Sequence, residues 1–109
     1  MSASGQYIDS ISLPDVLSIR NVSDLKQRIT ESFSSNNSVI LDIPENAEAD
    51  LSFIQLVESA RRQAKAANKT LALGAPAKGH VLKVLERAGF IEAFNGDDTK
   101  FWLHKEVTL

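Results

Sequence analysis

The chain has 109 residues, of which 43% are hydrophobic, and this suits one compact domain with its own core. Its net charge of −2 argues against a general nucleic-acid binder, which needs a basic face. Cysteine is absent, which excludes disulfides, thiol catalysis and cysteine metal sites, and no apolar run approaches the roughly 20 residues that cross a bilayer. We therefore expect a cytoplasmic protein without direct membrane insertion.

The N-terminal part predicts a flexible end followed by short strands. Residues 1–6 are small and polar, so we expect a flexible N-terminus before a single domain that spans 7–109. The stretch YIDSISLPDVLSI, residues 7–19, has an imperfect alternation of apolar and polar residues. Pro14 interrupts it, as proline does at a strand break. We expect one or two short strands here.

A helix and a buried strand follow. Asn21 is placed to cap a helix whose apolar residues recur at spacings of three and four, namely Val22, Leu25, Ile29 and Phe33. The run SVILDI, residues 38–43, is nearly all apolar, which is typical of a strand in a parallel sheet. Asp42 lies near its C-terminal end, where functional residues of open α/β sheets gather. Pro44 ends the strand.

The second half continues the alternation. After the acidic loop 44–50, the pattern predicts a helix from about Ser52 to Ala67, then a strand in KTLALGAP, residues 69–76. A third helix follows, and Gly89 stands where a left-handed C-terminal cap belongs. NGDD predicts a turn and KFWLHKEV, residues 100–107, a last strand. Strands that alternate with helices predict an α/β fold with parallel strands.

The sequence contains no clear motif for catalysis or for metal binding. Gly74 to Val81 follows a strand and opens a helix, but Lys78 precedes the second glycine and the hydroxyl that a P-loop needs for magnesium is missing. The two histidines, His80 and His104, lack a metal-ligand spacing, and no nucleophile elbow is present. We expect no catalytic residue, no metal and no cofactor, and thus no enzyme. A nucleotide- or small-ligand-binding domain that uses the 74–80 turn stays as an alternative.

The stretch EADLSFIQLV, residues 48–57, contains the strongest candidate site. Ser52 followed by Gln55 fits a capping box, which is a purely structural role. The same position suits phosphorylation, because the free N–H groups and the dipole at a helix N-terminus tolerate a phosphate. The added charge, next to Asp50 and Glu48, would repel a partner that binds the unmodified surface.

Three stretches together resemble the STAS domain, the family named for sulfate transporters and anti-sigma factor antagonists. They are VILDI (39–43), ADLSFIQLVESARRQAKAANKTLALGAP (49–76) and HVLKVLERAGFIEAF (80–94), and their order carries the resemblance over about residues 8 to 104. The resemblance implies a single domain with a four- to five-stranded mixed, mostly parallel sheet and helices packed mainly on one side.

The resemblance also implies a regulatory function. In anti-sigma factor antagonists, the second serine of Asp-Ser-Ser-Gly is phosphorylated by the anti-sigma factor, which acts as a serine kinase. Asp50 and Ser52 match the acidic residue and that serine, whereas Leu51 and Phe53 replace the first serine and the glycine. We thus expect a regulatory protein-binding module, with Ser52 as the phosphorylation candidate. The partner-binding residues that we predict are Asp42, Glu48, Asp50, Leu51, Ser52, Phe53 and Gln55.

Other members of the family leave an alternative open. The chain would then be a non-phosphorylated structural subunit that contacts the ABC ATPase of a lipid-transport system, or a component associated with chemotaxis. In each case we expect a protein partner, no nucleic acid, and a monomer or weak dimer.

Overall fold

The computed structural model describes residues 7–105, which form five strands and five helices. In chain order they are β1 (Ile8–Ser12), β2 (Val16–Leu17), α1 (Val22–Ser35), β3 (Ser38–Asp42), β4 (Glu48–Ala49), α2 (Leu51–Ala66), β5 (Thr70–Leu73), α3 (Gly79–Arg87), α4 (Phe90–Ala93) and α5 (Gly96–Leu103). The predicted flexible N-terminus, residues 1–6, lies outside the described residues. None of the described helices is both long enough and apolar enough to cross a membrane.

The strands form two parallel sheets. β1, β3 and β5 make a three-stranded sheet in that order, and β2 pairs with β4. The α/β class and the parallel arrangement are therefore confirmed. The single sheet of four to five strands is instead divided, and between residues 7 and 105 every pairing is parallel rather than mixed. Pro14 and Pro44 follow β1 and β3 and have no backbone N–H to continue the ladder, which accounts for the division.

The two faces of the three-stranded sheet differ in burial. Ile11, Leu41 and Leu73 are aligned across the strands and buried, and they belong to the core that α1 and α2 complete. On the opposite face, Ile8 is 63% exposed. Side chains alternate between faces along a strand, so one face of the sheet holds the core and the other is largely open.

The predicted strand KFWLHKEV is wrong over its described part, because residues 96–103 form α5. Asn95 caps this helix by accepting from the Asp98 N–H, and the Asp98 side chain accepts from the Asn95 N–H. Trp102 is fully buried and donates its Nε1–H to Glu58 of α2 at 2.9 Å. A reciprocal cap and an anchored tryptophan thus favour the helix over an edge strand. Residues 106 and 107 lie outside the described residues.

Gly89 confirms the predicted end of the third helix. Its φ of 80° lies in the left-handed region, directly after the last turn of α3. The conformation lets the chain turn at once into α4, and residues with a Cβ atom adopt it at a cost.

Candidate functional site

Asp50 begins helix α2. Its Oδ1 accepts hydrogen bonds from the backbone N–H groups of Ser52 at 3.0 Å and Phe53 at 3.3 Å. Asp50 is therefore the N-cap, and Ser52 is the second residue of the helix. The predicted capping box between Ser52 and Gln55 is wrong, because the carboxylate two residues earlier already satisfies the free N–H groups of the first turn.

The Ser52 hydroxyl also donates to Asp50 Oδ1. This bond is the main reason why the pKa of Asp50 lies below its ordinary value of 3.8. Backbone N–H groups of Ile19, Phe53 and Ser52 lower the pKa further, while burial acts in the opposite direction. A carboxylate that accepts several hydrogen bonds is stabilised in its charged form, so Asp50 presents a fixed negative charge beside the serine.

Asp50 also holds the turn between β2 and α1. Its Oδ2 accepts from the Ile19 N–H at 3.0 Å, across 31 residues of sequence. Asn21 fixes the same turn, since its Oδ1 accepts from the Ser18 N–H at 3.0 Å and its Nδ2 donates to Val16 O. Asn21 stands at the predicted cap position of α1, but its side chain makes no capping hydrogen bond to that helix because it is engaged in this turn.

Three exposed apolar side chains lie on the segments that meet at Asp50 and Ser52. Ile19 is 74% exposed, Val16 is 51% exposed and Leu51 is 43% exposed. Val16 pairs with Glu48 in the two-stranded sheet, Ile19 is held by Asp50, and Leu51 is the first residue of α2. We call this set the Ser52 surface: Val16, Ile19, Glu48, Asp50, Leu51 and Ser52. Large apolar groups held in water by a rigid turn are typical of binding surfaces.

A groove of about 360 Å³ between α1 and α2 continues the Ser52 surface. Ser52 and Gln55 line it from α2, and Ile19, Val22 and Lys26 line it from the turn and α1. The predicted residues Glu48, Asp50, Leu51, Ser52 and Gln55 are thus brought together at one end of α2.

Phe53 and Asp42 lie elsewhere. Phe53 is 1% exposed and packs in the core, so its side chain cannot reach a partner in this structure. The third residue of α2 faces the sheet, which is what its apolar character favours. Asp42 stands at the end of β3, and its Oδ1 occupies the space that a Cβ on Gly74 would need. It lines a separate pocket of about 100 Å³ with the 74–78 loop.

Residues of the 74–80 turn make contacts that hold α3 against the rest of the fold. Gly79 has a φ of 60° and opens α3, where a Cβ would lie 3.3 Å from Glu45 O. His80 Nδ1 accepts from the Ala49 N–H at 3.0 Å and so ties α3 to β4, beside the Ser52 surface. Between residues 7 and 105, no group of three or more histidine, aspartate or glutamate side chains is placed to hold a metal ion.

Sequence reasoning missed Val16 and Ile19 as surface residues. Both fall in the stretch that predicts strands, where an apolar residue signals burial. The signal that distinguishes them is the pairing with Asp50 and Glu48, which depends on tertiary structure.

Comparison with known proteins found no family model that matches the chain, no matching curated protein and no matching solved structure.

Proposed function

We propose that the chain is a regulatory protein-binding module of the STAS type, similar to an anti-sigma factor antagonist, and that the Ser52 surface binds its partner. The observation that carries the proposal is that exposed Val16, Ile19 and Leu51 lie on the segments that meet at the start of α2, where Ser52 is hydrogen-bonded to Asp50. Exposed large apolar side chains that are grouped on one surface mark an interaction site.

Phosphorylation of Ser52 is the switch in this proposal. When a kinase transfers the γ-phosphoryl group of ATP to Ser52 Oγ, ADP leaves and the hydroxyl proton is released. The hydrogen bond to Asp50 is then lost, and a phosphate with a charge of about −2 faces a carboxylate. Asp50 also holds Ile19 through its other oxygen. Repulsion at Ser52 therefore acts on the exposed apolar turn as well as on the local charge, and both changes oppose partner binding.

A constitutive subunit is the second candidate. The observation that favours it is that Ser52 is half-buried and its hydroxyl is already held by Asp50. Such a subunit, attached to an ABC ATPase or a chemotaxis complex, would use the same apolar patch without modification.

The test combines mass mapping with partner capture. A tagged copy is purified from its native cells, the phosphorylation state of Ser52 is measured by intact mass and phosphopeptide mapping, and co-purifying proteins are compared between the wild type, Ser52→Ala and Ser52→Asp. The proposal expects a phosphorylated fraction and loss of the main partner with Ser52→Asp. If Ser52 is never modified and the Ser52→Asp variant retains every partner, the phosphorylation switch is refuted and the constitutive subunit remains.

The binding surface itself is tested by apolar substitution. Ile19→Ser and Leu51→Ser are expected to lower partner recovery, because both remove exposed apolar area at little cost to the fold. Ile8→Ser is the matched control, since Ile8 is 63% exposed but lies on the open face of the three-stranded sheet. Equal recovery for all three variants would place the partner elsewhere.

A further inference from the structure

A groove follows the outer edge of β5. It has a volume of about 870 Å³, all four β5 residues line it, and α2 and α5 form its two walls. We call it the β5 groove. It is remote from the Ser52 surface, since α2 contributes residues from its middle and C-terminal part, such as Arg62 and Lys65, rather than its start.

Among the strands of residues 7–105, the strand at the base of the groove is paired on one side only. Within residues 7–105, β3 is the strand neighbour of β5, and the Thr70 and Gly74 N–H groups donate to Asn37 O and Leu41 O, each at 2.9 Å. Backbone groups alternate in direction along a strand, so the N–H and C=O of Leu71 and Leu73 point to the groove. An unpaired strand edge is a template for a further strand.

The walls of the groove are held firmly. Arg61 forms ion pairs with Glu58 at 2.8 Å and with Asp98 at 3.0 Å, and its guanidinium lies 4.3 Å from the centre of the Phe101 ring. The Ala77 N–H donates to Trp102 O at 2.7 Å, which fastens α5 to the 74–78 loop. The groove is therefore preformed, so a ligand does not have to order it.

The groove is basic on a protein whose net charge is −2. Five lysine and arginine side chains line it against three carboxylates; Arg61 is paired with two of these, Glu58 and Asp98, and Lys69 donates to Phe33 O. Arg62 and Lys65 are exposed on α2 and make no ion pair with any described residue. An acidic ligand is attracted to this edge.

We propose that the β5 groove binds an extended acidic peptide segment of a partner protein, which pairs with β5 as an additional strand. The free N–H and C=O groups of Leu71 and Leu73 supply the backbone hydrogen bonds, and Arg62 and Lys65 select acidic side chains on the incoming strand. Strand addition gives affinity through the main chain and specificity through alternate side chains. This surface would act alongside the Ser52 surface and does not depend on Ser52.

The experiment uses the full chain, isotope-labelled with ¹⁵N, and a fluorescein-labelled hexapeptide of alternating valine and glutamate. We expect saturable binding by anisotropy and the largest amide shifts at Leu71 and Leu73. Arg62→Glu with Lys65→Glu is expected to raise the Kd about tenfold or more, and added salt is expected to weaken wild-type binding. The matched control is Lys83→Glu with Arg87→Glu, which reverses two exposed charges on α3. Arg87 lies in the last turn of α3, just as Lys65 lies in the last turn of α2.

Two peptides distinguish strand addition from simple charge attraction. A peptide with N-methyl groups at every backbone position keeps its charge but loses the hydrogen-bond donors on both of its edges, and it should bind at least severalfold more weakly. A lysine-for-glutamate peptide should not bind. Equal affinity of the methylated peptide, or equal affinity of both double variants, overturns the proposal. The proposal is also overturned if sedimentation shows a dimer and the double variant Arg62→Glu with Lys65→Glu is monomeric. In that case the groove binds a second copy of the chain.

Discussion

Asp50→Ala gives the sharpest test of how the Ser52 surface is held together. One carboxylate accepts from the Ser52 and Phe53 N–H groups, the Ser52 hydroxyl and the Ile19 N–H. Loss of the N-cap costs about 1 kcal/mol. Loss of the hydrogen bond to Ile19 on a partly exposed turn adds about 0.5–1 kcal/mol. We therefore expect the free energy of unfolding to fall by about 2 kcal/mol.

Urea unfolding measures this difference. The single tryptophan, Trp102, is fully buried, so its fluorescence reports the loss of the core. Asp50→Asn is the matched control, because asparagine caps helices about as well as aspartate but offers one acceptor oxygen. It should cost about half as much as Asp50→Ala. An Asp50→Ala variant within about 0.5 kcal/mol of the wild type, or equal losses for both variants, would refute the assignment of Asp50 as the joint anchor of α2 and the Ile19 turn.

Three further predictions concern pH, a glycine and a buried indole. Because the pKa of Asp50 is lowered in the folded state, its contribution to stability is fully present above the ordinary value of 3.8 and is lost as the pH falls through the lower folded value. The difference in stability between the wild type and Asp50→Asn should therefore close in acid, as followed by urea unfolding at a series of pH values. Gly89→Ala should lower the free energy of unfolding by about 1–2 kcal/mol, because the φ of 80° is strained for alanine. Nothing lies within 4 Å of the new Cβ, so the cost comes from the backbone alone. A thermal melt that matches the wild type would contradict this. Glu58→Ala should cost about 1–3 kcal/mol by leaving the Trp102 N–H without its acceptor, whereas Glu58→Gln, which keeps an acceptor, should cost less in the same melts.

Periodicity predicted the central elements because their apolar residues all serve one core. The pattern of Val22, Leu25 and Ile29 predicted α1, and the run around Val39 and Leu41 predicted β3. Both signals depend on neighbours within a few residues, and burial in the final fold follows the same faces. The α/β class and the parallel pairing follow from the order of these elements.

The errors arise where two local interpretations compete. Asp50 and Ser52 are both good N-cap residues, and only the position of the Ile19 turn, which Asp50 also holds, decides between them. KFWLHKEV has strand-forming residues, but the deciding features are the Asn95–Asp98 cap and the pocket for Trp102 beside Glu58. The first of these is visible in NGDD as an N-cap residue followed by first-turn acids. The second is a long-range contact that no short window contains.

The contacts that hold α5 against α2 affect how the protein unfolds locally. Arg61 and Glu58 of α2 hold Asp98 and Trp102 of α5, and Trp102 in turn accepts from Ala77. This helix cannot detach without exposing a fully buried indole to water, so its release is costly. In native-state hydrogen exchange, the amides of α5 and of Ala77 should thus open with those of α2 as one cooperative unit, although α5 is the last helix of the described chain.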